Sequence, residues 1–221
     1  MIHLHNMDCM EAMAQMPDNA FDLAIVDPPY GIGISAHRSY GYKNRSRANI
    51  LTTYKPKAWD NARPCEGYFN TLQRVSRHQI IFGANYFVEH LTVQKNWIVW
   101  DKKIGDNCFS MHELIYTTLS GPSKIVRMHN GSNTVSNNAD LAQASLRIHP
   151  TQKPIALYTW ILSRYAQKGW RILDTHLGSG SSAIAAYNAG YEFVGYEIDT
   201  DYYKAAKARL QNHKRQLRMF A

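Results

Sequence analysis

The stretch "ILDTHLGSGSSAIA", residues 172–185, decides the fold. An apolar run ends at Asp174, a loop with two glycines follows, and a helix pattern opens near Ser181. "WRILDTH" (170–176) reads as a buried strand, and "SSAIAAYNAG" (181–190) as a helix closed by Gly190. Gly178 and Gly180 carry no side chains, so backbone can approach a nucleotide-like ligand at the helix N-terminus.

The next strand pattern is "YEFVGYEID" (191–199), whose Glu197 lies 17 residues past Gly180. An acid at the end of the following strand is where a doubly wound fold grips ribose hydroxyls. The chain has neither GxGxxG nor GxxxxGK[ST]. The ligand is therefore expected to be nucleoside-like, without a pyrophosphate.

Further strand patterns are "IHLHN" (2–6), "FDLAIVD" (21–27), "HQIIFGA" (78–84), "NWIVWDK" (96–102) and "HELIYTT" (112–118). Helices are expected over 10–16, over 154–167 with Pro154 in its first turn, and over 199–219. Strands alternating with helices predict one α/β domain over 1–221 with a mostly parallel sheet. The alternation of "IHLHN" suits a half-covered strand near a sheet edge. Residues 33–66 read as a polar, basic loop insertion, and 120–148 as a weakly periodic Ser/Asn-rich segment.

Net charge is +8, and residues 32–77 concentrate it: nine Lys/Arg against Asp60 and Glu66. Tyr40, Tyr42, Tyr54, Trp59, Tyr68 and Phe69 lie among these cations. Cations with interleaved aromatics suit phosphate contacts and base stacking, although a solvated basic loop has the same composition. No run approaches 18 apolar residues, which predicts no membrane span. The N-terminus lacks a secretory pattern, and Cys9, Cys65 and Cys108 form no CxxC pair. They read as free thiols in a reducing cytoplasm. No cluster with metal-ligand spacing appears, so no metal is expected.

A second chemistry-bearing stretch is "IVDPPYGIG" (25–33). Pro28 and Pro29 fix φ and lack an N–H, and Pro28 pushes Asp27 toward an extended conformation. The turn thus holds a carboxylate, backbone carbonyls and the Tyr30 ring in one array. Such an array suits a planar group with an exocyclic amine. Gly31 and Gly33 read as a flexible join to the basic segment.

"DPPY" at 27–30 together with "DTHLGSG" at 174–180 resembles the S-adenosylmethionine-dependent DNA amino-methyltransferases. In that family DPPY usually marks adenine N6 as the acceptor. The catalytic turn precedes the glycine loop here, and "HPTQKP" (149–154) sits just before the loop. That order resembles the circularly permuted beta class, and the short single-domain form resembles prophage-borne members. The resemblance implies a Rossmann-like, seven-stranded, mostly parallel sheet with helices on both faces. The strand at 170–174 would come first, that ending at Glu197 second, "IHLHNMD" third and "FDLAIVD" fourth. First and fourth strands are neighbours in the family, which sets the glycine loop beside DPPY.

The resemblance also implies roles for particular residues. Asp8 and Cys9 would meet the cofactor adenine and Glu197 the ribose. Asp174, His176, Gly178, Ser179 and Gly180, with Asp27 beside them, would line the methionine end, next to Thr151 and Lys153. Asp27, Pro28, Pro29 and Tyr30 would form the catalytic turn. Tyr30 would stack a flipped-out base, while Asp27 and the Pro28 carbonyl would accept hydrogen bonds from its amine. Arg38, Lys43, Arg45, Arg47, Lys55 and Lys57 would clamp flanking DNA phosphates. Residues 120–148 would be a short target-recognition segment, with Asn130, Asn133, Asn137 and Asn138 either reading base edges or lying in a loop. Relatives are often dimers, so a homodimer stays open. Cytosine N4 methylation, an RNA substrate and a catalytically silent nucleic-acid-binding relative are the alternatives. The chain departs from the usual D-P-F-x-G-S-G in having Thr175 and His176.

Overall fold

Strand β2 (Phe21–Val26) has five apolar residues out of six and is covered on both faces, as a central strand must be. Leu23 and Ile25 point to one layer, Ala24 and Val26 to the other. The computed structural model describes residues 1–33, 57, 59–104, 110–129 and 148–219, and the side chains of these up to residue 216.

Around β2 the described residues form β1 (Ile2–His5), β3 (Ser76–Phe82), β4 (Trp97–Asp101), β5 (His112–Thr117), β6 (Lys124–Arg127), β7 (Arg171–Asp174) and β8 (Glu192–Tyr196). Their spatial order is β1-β8-β7-β2-β3-β5-β4-β6. Every pairing is parallel except those of β5 with β3 and with β4. The expected mostly parallel α/β sheet is present, and β1 is an edge strand with alternate residues half-covered. β7 lies against β2, with Leu23 opposite Ile172 and Ala24 opposite Leu173, so the glycine loop and the DPPY turn leave neighbouring strands.

The sheet has eight described strands where seven were expected. The additional strand is β6, which pairs parallel with the outer edge of β4. It lies within the segment read as weakly periodic. Four residues with one buried position, Val126, give too short a signal to stand out there.

Helices α3 (Ile155–Tyr165), α4 (Ser181–Asn188) and α5 (Thr200–Met219) cover one face; α1 (Cys9–Ala14) and α2 (Glu66–Val75) cover the other. α2 corrects a second expectation. Tyr68 and Phe69 are not aromatics set among cations for base stacking; they are buried with Leu72 and Val75 as the apolar stripe of this helix. Arg74 donates to the carbonyls of Met13 and Met16, which closes the end of α1 against α2. Among the described residues no helix is long and apolar enough to cross a membrane.

Candidate active site

Four acids stand at or just past the C-terminal ends of parallel strands: Asp8 after β1, Asp27 after β2, Asp174 at the end of β7 and Glu197 after β8. Open α/β sheets bind ligands at this edge, where the chain direction splits the helices to opposite faces.

The glycine loop is held from within. Asp174 is buried; one oxygen accepts the His176 N–H at 3.0 Å, the other the Ser182 hydroxyl at 2.6 Å. Burial pushes its carboxyl up to about 7 despite those bonds. Glu197 accepts the N–H of Gly178 at 2.8 Å and that of Asp199 at 2.9 Å, so it ties the loop to the end of β8. Burial raises its proton affinity, and the same two bonds work against the rise. Gly180 has φ +72°, and a Cβ there would come within 3.2 Å of the Ala206 Cβ on α5. Ser179 turns inward: its hydroxyl meets that of Ser181 at 3.1 Å and its carbonyl accepts from Arg209.

Asp8 caps α1 by accepting the Met10 N–H at 2.8 Å. Cys9 is a free, buried thiol, pushed to about 12 by burial and then by the Asp8 charge, so it stays protonated. His176 sits at the edge of the Tyr68 ring and shares a 2.9 Å contact with Thr175, whose hydroxyl also meets that of Tyr68 at 2.7 Å. Burial lowers His176 to about 4, so it is neutral near pH 7.

The DPPY turn holds more charge than the motif discloses. Tyr30 donates its hydroxyl to Asp27 at 2.7 Å, with Glu113 of β5 at 2.9 Å from the same oxygen. The Lys153 ammonium lies 2.5 Å from Asp27, 3.1 Å from Glu113 and 3.3 Å from the Tyr30 oxygen. Lys102 pairs with the second Glu113 oxygen at 3.1 Å. Lys153 and Asp27 were both expected at the methionine end of the cofactor, and the structure brings these two side chains together. Glu113 and Lys102 were not singled out in the sequence, where one acid and one lysine in two separate strand patterns carry no motif.

Burial raises Asp27 above the usual carboxylate range, with Lys153 opposing the rise and Glu113 adding to it. Burial also acts on Glu113, yet its two lysines hold it below that range. Lys153 is raised: its two carboxylates outweigh the burial that would lower it.

Tyr30 does not present a free ring in this state. Its ring stacks on Tyr86, meets Phe87 edge-on, and packs so close to Gly83 that no side chain fits there. The Gly-Ile-Gly stretch is not a loose join at its ends: Gly31 N–H binds the Asp60 carboxylate at 2.9 Å, and Gly33 N–H the Asp60 carbonyl at 3.2 Å.

Thr151 contacts the His149 ring nitrogen at 3.1 Å through its hydroxyl. His149 lies between the Trp59 and Tyr202 rings and against Gly178. Of the cations expected on phosphates, Lys57 is turned to the protein, with its ammonium 2.6 Å from Asp199 and 2.9 Å from Asp201. Arg38, Lys43, Arg45, Arg47 and Lys55 lie outside the described residues, as do Asn130, Asn133, Asn137, Asn138 and Cys108. Among the described residues no group of His, Cys, Asp and Glu could hold a metal ion.

The chain belongs to the DNA methylase family (N6_N4_Mtase), whose pattern matches residues 21–208. It is 24% identical over 213 residues to YubD of Escherichia coli (strain K12), covering 92% of this chain and 87% of that protein. It is similar in fold to M1.HpyAVI, crystallised with SAM, with a TM-score of 0.58 at 19% identity over 95% of this chain and all of the other. The cytosine-N4-specific PvuII DNA methyltransferase has the same fold at a TM-score of 0.61, with 12% identity over 96% of this chain and 90% of the other.

Proposed function

We propose that this chain transfers a methyl group from S-adenosylmethionine to the N6 amine of a flipped-out adenine in DNA. The observation that carries the reading is the DPPY turn, which leaves β2 beside the glycine loop of β7 and sets Asp27 at the shared edge. An N-terminal strand paired with the last strand of the sheet suits the permuted, beta-class order. A base within a duplex does not expose its amine, so the nucleotide must leave the stack.

The cofactor fits the donor set. Asp8, Asp174 and Glu197 ring a glycine loop, which suits ribose hydroxyls and a cationic centre, while Cys9 and the neutral His176 offer apolar packing. When bound, S-adenosylmethionine would supply an electrophilic sulfonium methyl group for in-line attack by the amine lone pair, with the thioether as the leaving group. Asp27 and the Pro28 carbonyl accept the two amine hydrogens, which localises that lone pair. They also stabilise the positive charge that grows on nitrogen. Asp27 is the carboxylate of the catalytic turn, and burial raises its proton affinity, so it receives the proton that the methylated amine gives up. Arg45 and Arg47 in the basic segment would hold flanking phosphates.

Cytosine N4 methylation is the second reading, because the acceptor array fits either amine and the PvuII enzyme shares the fold. Transfer of tritium from labelled S-adenosylmethionine to DNA tests the class. The wild type is expected to label DNA, and Asp27→Ala to lose about a thousandfold in turnover while still binding the cofactor. Undiminished transfer by Asp27→Ala would remove Asp27 from the chemistry.

A further inference from the structure

Lys153 presents a difficulty for the reading of Asp27 as an amine acceptor. Its ammonium lies against the carboxylate that must receive the amine, and a cation must develop on the substrate nitrogen beside it. Two positive charges a few ångströms apart in a water-poor site repel strongly. Lys153 cannot simply withdraw unpaired, since its side chain is only 5% exposed and a buried lone ammonium costs several kcal/mol.

Glu113 resolves this. It stands on β5 within 3.1 Å of the same ammonium and shares the Tyr30 hydroxyl with Asp27. Lys102 holds its other oxygen, so its position does not depend on Asp27. A carboxylate at a strand position that is 9% exposed is weak support for a fold, and an apolar residue there would serve packing as well. The cluster of Asp27, Glu113, Lys102 and Lys153 carries no net charge; a Lys153 drawn to Glu113 stays paired, and the carboxylate it leaves at Asp27 is met by the amine hydrogens. Of the two carboxylates on Lys153, Asp27 is the more exposed, at 17% against 10% for Glu113.

We propose that Glu113 is a positioning residue that takes Lys153 over from Asp27 when the target amine arrives. This rests on the reading of Asp27 given above. With Lys153 drawn to Glu113, Asp27 regains its full acceptor strength for the amine and then for the departing proton. Tyr30, bonded between the two carboxylates, keeps them in register. The groups that bear on Asp27 are Lys153 and Glu113, Tyr30 of its own turn, Asp174 from β7, Tyr68 from α2 and Tyr158 from α3. Among these, Glu113 and Lys153 are the pair whose exchange changes what Asp27 can accept.

The test is the pH profile of kcat for Glu113→Gln. Without the Glu113 charge Lys153 has Asp27 as its sole anionic partner, so kcat is expected to fall about tenfold and the acid limb to move to lower pH. The Kd for S-adenosylmethionine, read by calorimetry, is expected to stay within about twofold of the wild type. Lys153→Met should move the limb the other way, to higher pH, because the cation that chiefly opposes burial at Asp27 is then gone. The Glu113→Gln/Lys153→Met double variant should surpass Glu113→Gln at alkaline pH, as the clamp on Asp27 is gone. A Glu113→Gln variant with wild-type turnover and an unmoved limb overturns the proposal. Should that variant prove unfolded by circular dichroism, an unmoved limb in Lys153→Met overturns it instead. A wild type that transfers no methyl group at all would instead remove the reading beneath it.

Discussion

The ring of Tyr30 lies on that of Tyr86, with centroids 4.8 Å apart and planes inclined by 11°. Tyr86 thus occupies a stacking face that the proposed mechanism reserves for a base. Because the Tyr30 hydroxyl is bonded to Asp27, a base whose amine reaches Asp27 comes over the same ring. On the proposed mechanism an entering base has to displace Tyr86 from that face. Tyr86→Ala should lower stability by about 1 kcal/mol, the worth of an aromatic pair, while lowering KM for DNA. Chemical denaturation and steady-state kinetics measure both. A raised KM would mean that Tyr86 itself carries the base.

Glu197 receives two backbone N–H groups, one from the glycine loop and one from Asp199. Glu197→Ala removes the acceptor proposed for the ribose and loosens the loop together. Calorimetry should show S-adenosylmethionine binding about tenfold weaker or worse, with turnover at saturating cofactor reduced far less. An unchanged dissociation constant would take Glu197 out of the site.

His149 stays neutral in the fold because burial lowers it from 6.5 to about 3, with the nearby Lys153 charge adding to the effect. The unfolded chain protonates this ring below about pH 6.5 and the folded chain does not, so stability falls as pH drops through that window. Between about pH 7 and about pH 4 the wild type should lose about 3 kcal/mol more than His149→Gln in urea titrations. Parallel losses in the two proteins would show that His149 titrates freely.

Lys57 is tied to Asp199 and Asp201, so it is not available to bind a phosphate in this state. Lys57→Met should lower the melting temperature and leave the salt dependence of DNA binding unchanged. Arg45→Ala/Arg47→Ala should flatten the slope of log K against log salt by about 1 for each phosphate that an arginine no longer neutralises. A slope that responds to Lys57 and not to the arginines would reverse this assignment.

The α/β class, the glycine loop, the DPPY turn and the acids that end their strands were legible because each is written locally; that the loop and the turn are neighbours followed only from the family resemblance. An apolar run ends in an acid and then a Gly or Pro turn, as at Asp174 and Asp27. α2 was hidden because Arg63, Arg74 and Arg77 lend its surroundings a basic look, while its buried face is four residues spread over two turns. The Glu113–Lys153 pair was hidden for a different reason. Forty residues separate the partners, and only the antiparallel insertion of β5 between β3 and β4 brings them together. The tie of Gly31 and Gly33 to Asp60 is likewise a tertiary contact that no local pattern announces.

The proposed reaction is methyl transfer to the amine of adenine in DNA. It is tested most directly by incubating DNA with the purified protein and S-adenosylmethionine, digesting the DNA to nucleosides and weighing them by mass spectrometry. N6-methyldeoxyadenosine is expected, formed about a thousandfold more slowly when Asp27→Ala replaces the wild type. N4-methyldeoxycytidine in its place, or no methylated nucleoside at all, would contradict it.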